Sequence, residues 1–256
     1  MRLANRKIIV TAAASGMGRA GVELFTSEGA TVAAIDRDEA SLGNLVAQVS
    51  ATGGKVEGFV ADLSDAAATN EVFDRAVSWL GGLNGFWSHA GMPGPSDIED
   101  FDLEHYRTVV DLNVTQHTIL SGRAVSQMKQ EGGGSIVFTS SAVALVGSQQ
   151  SPVYSSVKAA LVGLTKGLAV RYAAEGIRVN AICPSMVATP MLYNDFMKSD
   201  TRFSKEETEA RFVSAIPLGR PAQPVEIAHA ALWLLSEDSS FVTGVALPVD
   251  GGLVAR

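Results

Sequence analysis

The sequence predicts a doubly wound α/β fold, in which a parallel sheet of about seven strands is flanked by helices. Short apolar runs rich in Val and Ile alternate with helical stretches along the 256 residues. Such runs are typical of strands whose two faces are both covered. Alternation of strand and helix joins parallel strands through right-handed crossovers, which produces a doubly wound sheet.

Seven strands and six helices follow from this pattern. The predicted strands are 7–11, 31–36, 56–61, 85–88, 135–140, 178–182 and 245–249. The predicted helices are 18–28, 39–52, 66–80, 103–130, 152–175 and 224–236. Because no linker of biased composition and no internal repeat interrupts the pattern, we expect residues 1–256 to form a single domain.

One segment departs from the alternation. Residues 186–214 carry no predicted strand, and their apolar side chains are mixed with charged ones in a pattern that suggests one or two short helices. A long excursion inside a compact domain is typical of a lid or a substrate-binding loop. A plain surface insertion is the alternative.

Composition argues against several classes of function. The chain is 46% hydrophobic with a net charge of −7, and its Lys and Arg residues form no cluster that would bind nucleic acid. No apolar run reaches the roughly 18 residues that a membrane span needs. The single cysteine, Cys183, cannot form an intrachain disulfide, so we expect a cytoplasmic protein. The four histidines lack metal-ligand spacing, so no metal site is expected.

A glycine-containing turn follows the first predicted strand and opens the first helix. The turn consists of Ser15, Gly16, Met17 and Gly18. Glycine allows the backbone to approach a dinucleotide pyrophosphate closely, and a helix N-terminus offers free N–H groups and a positive dipole end. Two glycines in a turn are a weak signal alone, and the position between strand and helix strengthens it.

The end of the second strand predicts which dinucleotide is bound. Asp36 lies eighteen residues beyond Gly18, where a carboxylate accepts hydrogen bonds from the adenosine ribose hydroxyls. The same carboxylate repels the 2′-phosphate of NADP, so we expect NAD as the cofactor. Arg37 follows directly and partly offsets that repulsion, which leaves NADP as the less favoured alternative.

A tyrosine and a lysine carry the strongest chemical signal. Tyr154 and Lys158 are four residues apart, so they share one face of a helix. A nearby ammonium lowers the pKa of a phenol, which suits it as a general acid or base for a carbonyl oxygen. Ser141 follows an apolar strand at its carboxyl end, where such sheets bind ligands. Asn113 lies in an apolar helical run, as a structural plug or as a member of the active site.

Together these motifs resemble the short-chain dehydrogenase/reductase family over essentially the whole chain. The motifs that carry the resemblance are the turn 11–18, Asp62-Leu63, Ser88-His89-Ala90-Gly91, Asn113, Ser141, Tyr154 with Lys158, Cys183-Pro184-Ser185 and Val249-Asp250-Gly251-Gly252. The resemblance implies a Rossmann-like fold and a catalytic tetrad of Asn113, Ser141, Tyr154 and Lys158. In the family the tyrosine transfers the proton, while a hydride passes between the substrate carbon and the nicotinamide ring.

The resemblance also implies contacts to the cofactor. Asp62 would bind the adenine amino group beside Leu63, and Ala90 and Gly91 would line the adenosine ribose. Thr189 matches a position that anchors the nicotinamide carboxamide. The whole set implied or predicted to bind the cofactor is Ser15, Gly16, Met17, Gly18, Asp36, Arg37, Asp62, Leu63, Ala90, Gly91, Asn113, Tyr154, Lys158, Pro184, Val187 and Thr189.

Some positions depart from the family pattern. Ala12 stands where the family has the first glycine of the turn, and we expect a local backbone adjustment there with cofactor binding retained. Ser88 and His89 replace a pair of asparagines, the first of which normally braces the sheet. Ser185 replaces a glycine. None of these changes removes a reacting group.

The substrate is expected to be a neutral, moderately hydrophobic cyclic or aryl alcohol or ketone. The residues predicted to face it beside Ser141 are Met92, Val143, Met191 and Leu192, which are all apolar. A reductase of 3-oxoacyl thioesters on acyl carrier protein is the nearest alternative, and a non-catalytic dinucleotide-binding sensor or scaffold is an alternative of another class. The resemblance further implies a homotetramer built on the helices predicted at 103–130 and 152–175.

Overall fold

Seven parallel strands form the centre of the molecule. The computed structural model describes residues 1–96, 98–99, 101–149, 151–197 and 204–255. The strands are β1 (Lys7–Thr11), β2 (Thr31–Asp36), β3 (Lys55–Val60), β4 (Gly85–Ser88), β5 (Gly134–Thr139), β6 (Ile177–Pro184) and β7 (Ala246–Val249). Their order is β3-β2-β1-β4-β5-β6-β7, and every pair is parallel. This is the doubly wound sheet that the sequence predicts.

Helices cover both faces of this sheet. They are α1 (Gly16–Ser27), α2 (Glu39–Ala51), α3 (Ala66–Leu80), α4 (Leu103–Val110), α5 (Gln116–Gln130), α6 (Pro152–Tyr172), α7 (Lys205–Ser214) and α8 (Pro224–Leu235). Strand side chains alternate between two apolar clusters: Ile8 and Val10 pack with α1, α2 and α8, whereas Ile9 packs with α3, α5 and α6. No helix among the described residues is long and apolar enough to cross a membrane.

The reversal of strand order lies between β1 and β4. From β1 the chain winds outward to β2 and β3, and then returns to β4 on the other side of β1. The loops after β1 and β4 therefore leave in opposite directions and open a crevice at the carboxyl ends of the strands. In open α/β sheets this is where ligands bind.

The segment predicted as one helix over 103–130 is divided. A π-helical turn at Asp111–Thr115 separates α4 from α5, and Gln116 N–H donates to Asp111 O across five residues. Such a turn places one extra residue in the helix and is frequent at functional sites. Asn113, fully buried, lies in this turn. Apolar periodicity continues through the turn, so it cannot reveal the insertion.

The described part of the excursion predicted at 186–214 contains no strand, and its first residues are anchored. Val187 forms an isolated bridge to Ala222, and Ala188 N–H donates to Ala222 O at 2.9 Å. A π-helical turn at Leu192–Phe196 and helix α7 follow. Residues 198–203 of this excursion lie outside the described residues.

Ala12 carries the backbone conformation that glycine adopts most easily. Its φ is +51°, in the left-handed region. The turn closes tightly, because a Cβ added to Gly18 would lie 2.0 Å from Ala12 O. The expected backbone adjustment therefore does not move Ala12 out of the left-handed region. Alanine keeps this conformation at a steric cost of about 1 kcal/mol.

We expect Ala12→Gly to raise the free energy of unfolding by about 1 kcal/mol, because glycine removes the contact between Cβ and the backbone carbonyl. Denaturant melts would measure the change. Asn5→Gly is the matched control, since Asn5 also has a positive φ of +63° but asparagine tolerates that region. A destabilised Ala12→Gly variant would contradict this explanation.

Candidate active site

The glycine turn lies against the excursion that follows β6. Helix α1 begins at Gly16, and Ser15 precedes it without a capping bond from its own side chain. A Cβ added to Gly16 would lie 3.0 Å from Thr189 Cγ2. The structure thus places Thr189, predicted for the nicotinamide end, beside the turn predicted to hold the phosphates.

Asp36 ends β2 and holds the same turn. Its Oδ2 accepts a hydrogen bond from Ala14 N at 2.9 Å, and its Oδ1 accepts one from Asp38 N at 3.0 Å. The carboxylate therefore helps to shape the turn, and each oxygen retains a second lone pair for another donor.

Asp62 lies at the end of β3, near the guanidinium of Arg37. Its Oδ1 accepts hydrogen bonds from the N–H and the hydroxyl of Ser64 at 2.9 and 2.8 Å. These bonds, with a smaller contribution from Arg37, lower the pKa of the carboxyl group. Leu63 is buried beside it. The residues predicted for the adenine end therefore share the edge formed by the ends of β2 and β3.

The loop after β4 is fastened to β1. Thr11 Oγ1 accepts hydrogen bonds from the N–H groups of His89 and Ala90 at 2.8 and 3.0 Å. The next residue, Gly91, approaches two members of the predicted tetrad. A Cβ added to Gly91 would lie 2.7 Å from Asn113 Oδ1 and 2.9 Å from Lys158 Nζ.

Lys158 is a buried cation, with 2% of its surface exposed. Its Nζ donates to Thr139 O at 3.1 Å, and Ser140 Oγ donates to Lys158 O at 2.7 Å, so the end of β5 is tied to α6. Burial lowers the pKa of Lys158 to about 8. Among the described residues Thr139 O is its one hydrogen-bond acceptor, which leaves two of the three ammonium donors for a ligand.

Tyr154 lies beside this cation. Lys158 Nζ is 5.5 Å from the centroid of the phenol ring. The sequence predicts a phenol made more acidic by the lysine, but the structure shows the opposite direction: burial raises the pKa of Tyr154 above its ordinary value. The reason is that burial penalises the phenolate, and the ammonium sits over the ring at a distance that does not offset this penalty.

Asn113 holds the backbone beside the other members of the predicted tetrad. Its Nδ2 donates to Val109 O at 2.9 Å and to Met92 O at 3.0 Å, and its Oδ1 accepts from Met92 N at 3.3 Å. These bonds show the structural plug of the π-helical turn. The Oδ1 atom also lies close to Gly91, next to Lys158, and the role of Asn113 in an active site stays a prediction.

Ser141 stands directly after β5 at the entrance of the crevice. It precedes a 3₁₀ turn at Ala142–Ala144, and its Oγ accepts from Val143 N at 3.4 Å. Its hydroxyl also reaches Pro184 O at 3.5 Å, which places it between the ends of β5 and β6. Ser185 Oγ donates to Asp250 O at 2.9 Å, so this departure from the family pattern joins β6 to the loop after β7.

The predicted substrate residues lie near the tyrosine to different degrees. Met92 packs against the small apolar cluster that includes Tyr154, and Leu192 is buried at the start of the second π-helical turn. Val143 and Met191 are half-buried. Phe196, which the sequence analysis did not single out, makes an edge-on contact with the phenol ring, with centroids 5.5 Å apart.

Other polar residues of the site were also missed. These are Thr11, Thr139 and Ser140, which hold the loop after β4 and the lysine, and His117, which lies behind that loop. The threonines and the serine stand at the carboxyl ends of β1 and β5, and that position is the signal that would have identified them. Among the described residues, no group of three His, Cys, Asp or Glu side chains could hold a metal ion.

The crevice fits a nicotinamide dinucleotide. Gly16 and Gly91 allow a close approach of the backbone that a Cβ would prevent, and Lys158 offers two unused donors beside Gly91. Asp36 and Asp62 supply acceptors at the other end. Glycines near a phosphate site, a cation and ribose acceptors form the donor and acceptor set that such a cofactor requires.

Comparison with known proteins agrees with this geometry. A family model described as enoyl-(acyl carrier protein) reductase matches residues 11–254. The 2-(S)-hydroxypropyl-CoM dehydrogenase 3 of Xanthobacter autotrophicus is 35% identical over 99% of this chain and 98% of its own. The chain belongs to the short-chain dehydrogenase/reductase family. Members of this family bind nicotinamide dinucleotides, and this chain is accordingly an oxidoreductase that acts on alcohols.

Two further proteins show similarity over the full length of this family member. A 2,5-dichloro-2,5-cyclohexadiene-1,4-diol dehydrogenase of Sphingobium indicum is 39% identical over 99% of this chain and 98% of its own. The crystal structure of levodione reductase superimposes with a TM-score of 0.95, at 31% identity and complete coverage of both chains. The architecture is thus shared without interruption.

We expect Lys158→Met to raise the free energy of unfolding at pH 7 by about 1–3 kcal/mol, because it removes a buried ammonium. The pKa of Lys158 in the folded protein is about 8, below the ordinary 10.5, so the folded chain loses this proton at a lower pH than the unfolded chain does. The destabilisation that the buried ammonium causes is therefore complete below pH 8 and disappears as the pH rises towards 10.5.

Urea melts between pH 7 and pH 10.5 would measure this difference. Lys166→Met on the exposed face of α6 is the control, and it should change stability by no more than about 0.5 kcal/mol at any pH. A Lys158→Met variant that is less stable than wild type at pH 7 would show that the ammonium does not destabilise the fold.

Proposed function

We propose that this chain is an NAD(H)-dependent enzyme that interconverts a secondary alcohol and its ketone, with a neutral cyclic or aryl compound as the substrate. The observation that carries the proposal is the pairing of Tyr154 with the buried Lys158 ammonium, 5.5 Å from the ring centroid. Lys158 Nζ also lies close to Gly91, where an added Cβ would come within 2.9 Å of it. This arrangement places a proton donor and a cation in a crevice of the kind that holds a dinucleotide.

Each member of the tetrad has a proposed task. The hydroxyl of Tyr154 gives a proton to the carbonyl oxygen or takes one from the alcohol. Ser141 donates a hydrogen bond to the same oxygen, and Lys158 directs its two free N–H groups to the nicotinamide ribose. Asn113 keeps the loop after β4 in place through Met92. The bound nicotinamide supplies or accepts the hydride at the substrate carbon.

The bound cofactor also affects the tyrosine. Burial raises the pKa of the phenol, so alcohol oxidation needs a positive contribution that favours the phenolate. Anchoring the two free N–H groups of Lys158 on a ribose would fix the ammonium near the phenol oxygen. An opposite charge within about 4–6 Å favours the phenolate.

We expect Tyr154→Phe to lose turnover by about a thousandfold or more, because the substrate oxygen loses its proton donor. NADH binding, measured by fluorescence, should remain within about threefold of wild type, because the phenyl ring preserves the packing. Tyr172→Phe at the far end of α6 is the control and should keep full turnover. Unchanged turnover in Tyr154→Phe would overturn the proposed chemistry.

The preference for NAD rests on Asp36. Its carboxylate is fixed by Ala14 N–H and Asp38 N–H, so it cannot swing away from the site of the adenosine ribose. A fixed negative charge accepts hydrogen bonds from the ribose hydroxyls and repels a 2′-phosphate. Arg37, next in the chain, contributes to lowering the pKa of the Asp62 carboxyl group.

We expect wild type to bind NADH at least about tenfold more tightly than NADPH, a difference of about 1.4 kcal/mol. Asp36→Asn should lower this ratio, because it removes the repelling charge. Arg37→Ala is the matched control with the opposite sign, and it should raise the ratio. Isothermal titration with both cofactors would measure the ratios. Equal affinities in wild type would refute NAD preference.

The substrate class is inferred from the apolar surroundings of the tyrosine. The edge of Phe196 packs against the phenol, and Met92 and Leu192 lie in the adjacent apolar surface. Flat, neutral rings complement such a surface, since burial of aromatic area is favourable and specific in geometry. The names of the two similar proteins, a cyclohexadiene diol dehydrogenase and levodione reductase, support this class.

We expect kcat/KM for cyclic and aryl alcohols or ketones to exceed that for sugars and for 3-oxoacyl thioesters by at least about tenfold. Phe196→Ala should lower kcat/KM for ring substrates more than for small linear ones. Phe101→Ala, which removes an exposed ring in tilted contact with Tyr106, is the control. Dominant thioester turnover would instead favour an acyl carrier protein reductase, the description that the family model carries.

Assembly and location are part of the same proposal. We infer a homotetramer, in which α5 and α6 pack across a two-fold axis. Val170 on α6 supports this, because its apolar side chain is 85% exposed in the single chain. The lone thiol, Cys183, is buried, and this is consistent with a reducing cytoplasm.

A further inference from the structure

A buried chain of hydrogen bonds lies directly behind the loop after β4, residues 88–91. His117, on the first turn of α5, is fully buried, and so is Ser88 at the end of β4. His117 Nδ1 lies 2.6 Å from Ser88 Oγ, and His117 Nε2 lies 2.9 Å from Ala90 O. The imidazole thus joins two residues of the loop after β4 from behind.

Only one protonation state of the neutral ring satisfies both bonds. The carbonyl of Ala90 can only accept, so Nε2 of His117 carries the hydrogen and donates it. Nδ1 then carries an accepting lone pair, and the hydroxyl of Ser88 donates to it. Burial, with a further contribution from the charge of Lys158, lowers the pKa of His117 well below its ordinary value, so the ring stays neutral.

His117 and Asn113 act on the two residues that flank Gly91. Asn113 binds the N–H and C=O groups of Met92, and His117 binds the C=O group of Ala90. The two side chains are four residues apart across the π-helical turn and α5. One continuous segment therefore grips the loop on both sides of Gly91, where Asn113 Oδ1 and Lys158 Nζ converge.

Other anchors leave this carbonyl to the histidine. Thr11 Oγ1 takes the N–H groups of His89 and Ala90, so it fixes the amide side of the loop only. Ser88 stands where the resembled family has an asparagine, and a serine side chain has fewer hydrogen-bonding groups than an amide. His117 supplies the second group that the serine lacks.

We propose that His117 is a positioning residue for the cofactor. Its Nε2 donates to the Ala90 carbonyl, in the imidazole tautomer set by Ser88, and so fixes the loop 88–91 with the backbone of Gly91 close to Lys158 and Asn113, where the dinucleotide would bind. This inference rests on the proposed function, because it concerns how the same crevice holds its nicotinamide cofactor.

Three variants test this role through cofactor binding rather than turnover. His117→Leu removes both hydrogen bonds and leaves the buried Ala90 carbonyl without a partner. His117→Gln keeps an N–H donor at about the position of Nε2. Ser121→Ala is the control, because Ser121 Oγ donates to His117 O at 2.5 Å in the same helix without touching the loop. NADH affinity is measured by fluorescence titration, and Tm is measured without cofactor.

We expect His117→Leu to weaken NADH binding by about tenfold or more, and His117→Gln to restore it to within about threefold of wild type. Ser121→Ala should lower Tm and leave NADH affinity unchanged. If His117→Leu and Ser121→Ala both lower Tm while NADH affinity stays at the wild-type value, His117 is structural only and the inference is wrong.

The remaining outcomes are equally informative. If His117→Leu does not fold, Ser88→Ala is measured in its place, since it frees the tautomer while keeping the ring. Ser88→Ala should weaken NADH binding by about threefold to tenfold, and an unchanged affinity would overturn the inference. Wild type that binds neither NADH nor NADPH would refute the proposed function itself, which is distinct from failure of the positioning role.

Discussion

The site depends on a positive charge placed where the solvent cannot reach it. Lys158 reaches from α6 to the end of β5, and the carbonyl of Thr139 is its one acceptor among the described residues. A buried ammonium is expensive unless it is hydrogen-bonded, and this one has two donors to spare. The fold tolerates the cost because two large apolar clusters cover both faces of the sheet. The unsatisfied donors are what a ligand with hydroxyl groups can satisfy.

The same cation connects parts of the chain that are far apart in sequence. Ser140 ties the backbone of Lys158 to β5, and Gly91 lies against its Nζ from the loop after β4. Asn113 approaches from a π-helical turn at the same point. Two crossovers of the sheet, from β4 to β5 and from β5 to β6, therefore meet in one small volume. Because parallel strands carry their carboxyl ends to one edge, this convergence is a property of the topology as well as of the side chains.

Much of the fold could be predicted from the sequence. Period and composition identified all seven strands to within a few residues, as β4 at Gly85–Ser88 shows. They failed at the π-helical turn of Asp111–Thr115, because one inserted residue leaves the local composition unchanged. The direction of the pKa of Tyr154 was also wrong, since spacing on a helix reveals the neighbour but not the burial.

The sequence predicted those parts of the candidate site in which the residue type itself indicates the chemistry. The predicted tyrosine and lysine do lie together, as 5.5 Å between Nζ and the ring centroid shows. His117 was missed because its partner, Ala90, comes from a distant segment. Phe196 was predicted only as part of the substrate-binding excursion, without its contact to Tyr154. A histidine in a helix has many possible surroundings, and only packing selects among them. Tertiary contacts of this kind leave no local pattern for a single sequence to display.

The π-helical turn also sets the rotational phase of everything that follows it. Each residue of a helix advances the side-chain direction by about 100°, so one added residue rotates the buried stripe of α5 by that angle relative to α4. His117 and Leu120 are both fully buried in the present phase. Loss of one residue between 111 and 115 would straighten the helix, yet it would swing these side chains away from the sheet. The π-helical turn therefore allows one continuous segment to place Asn113 beside Gly91 and His117 behind the loop after β4.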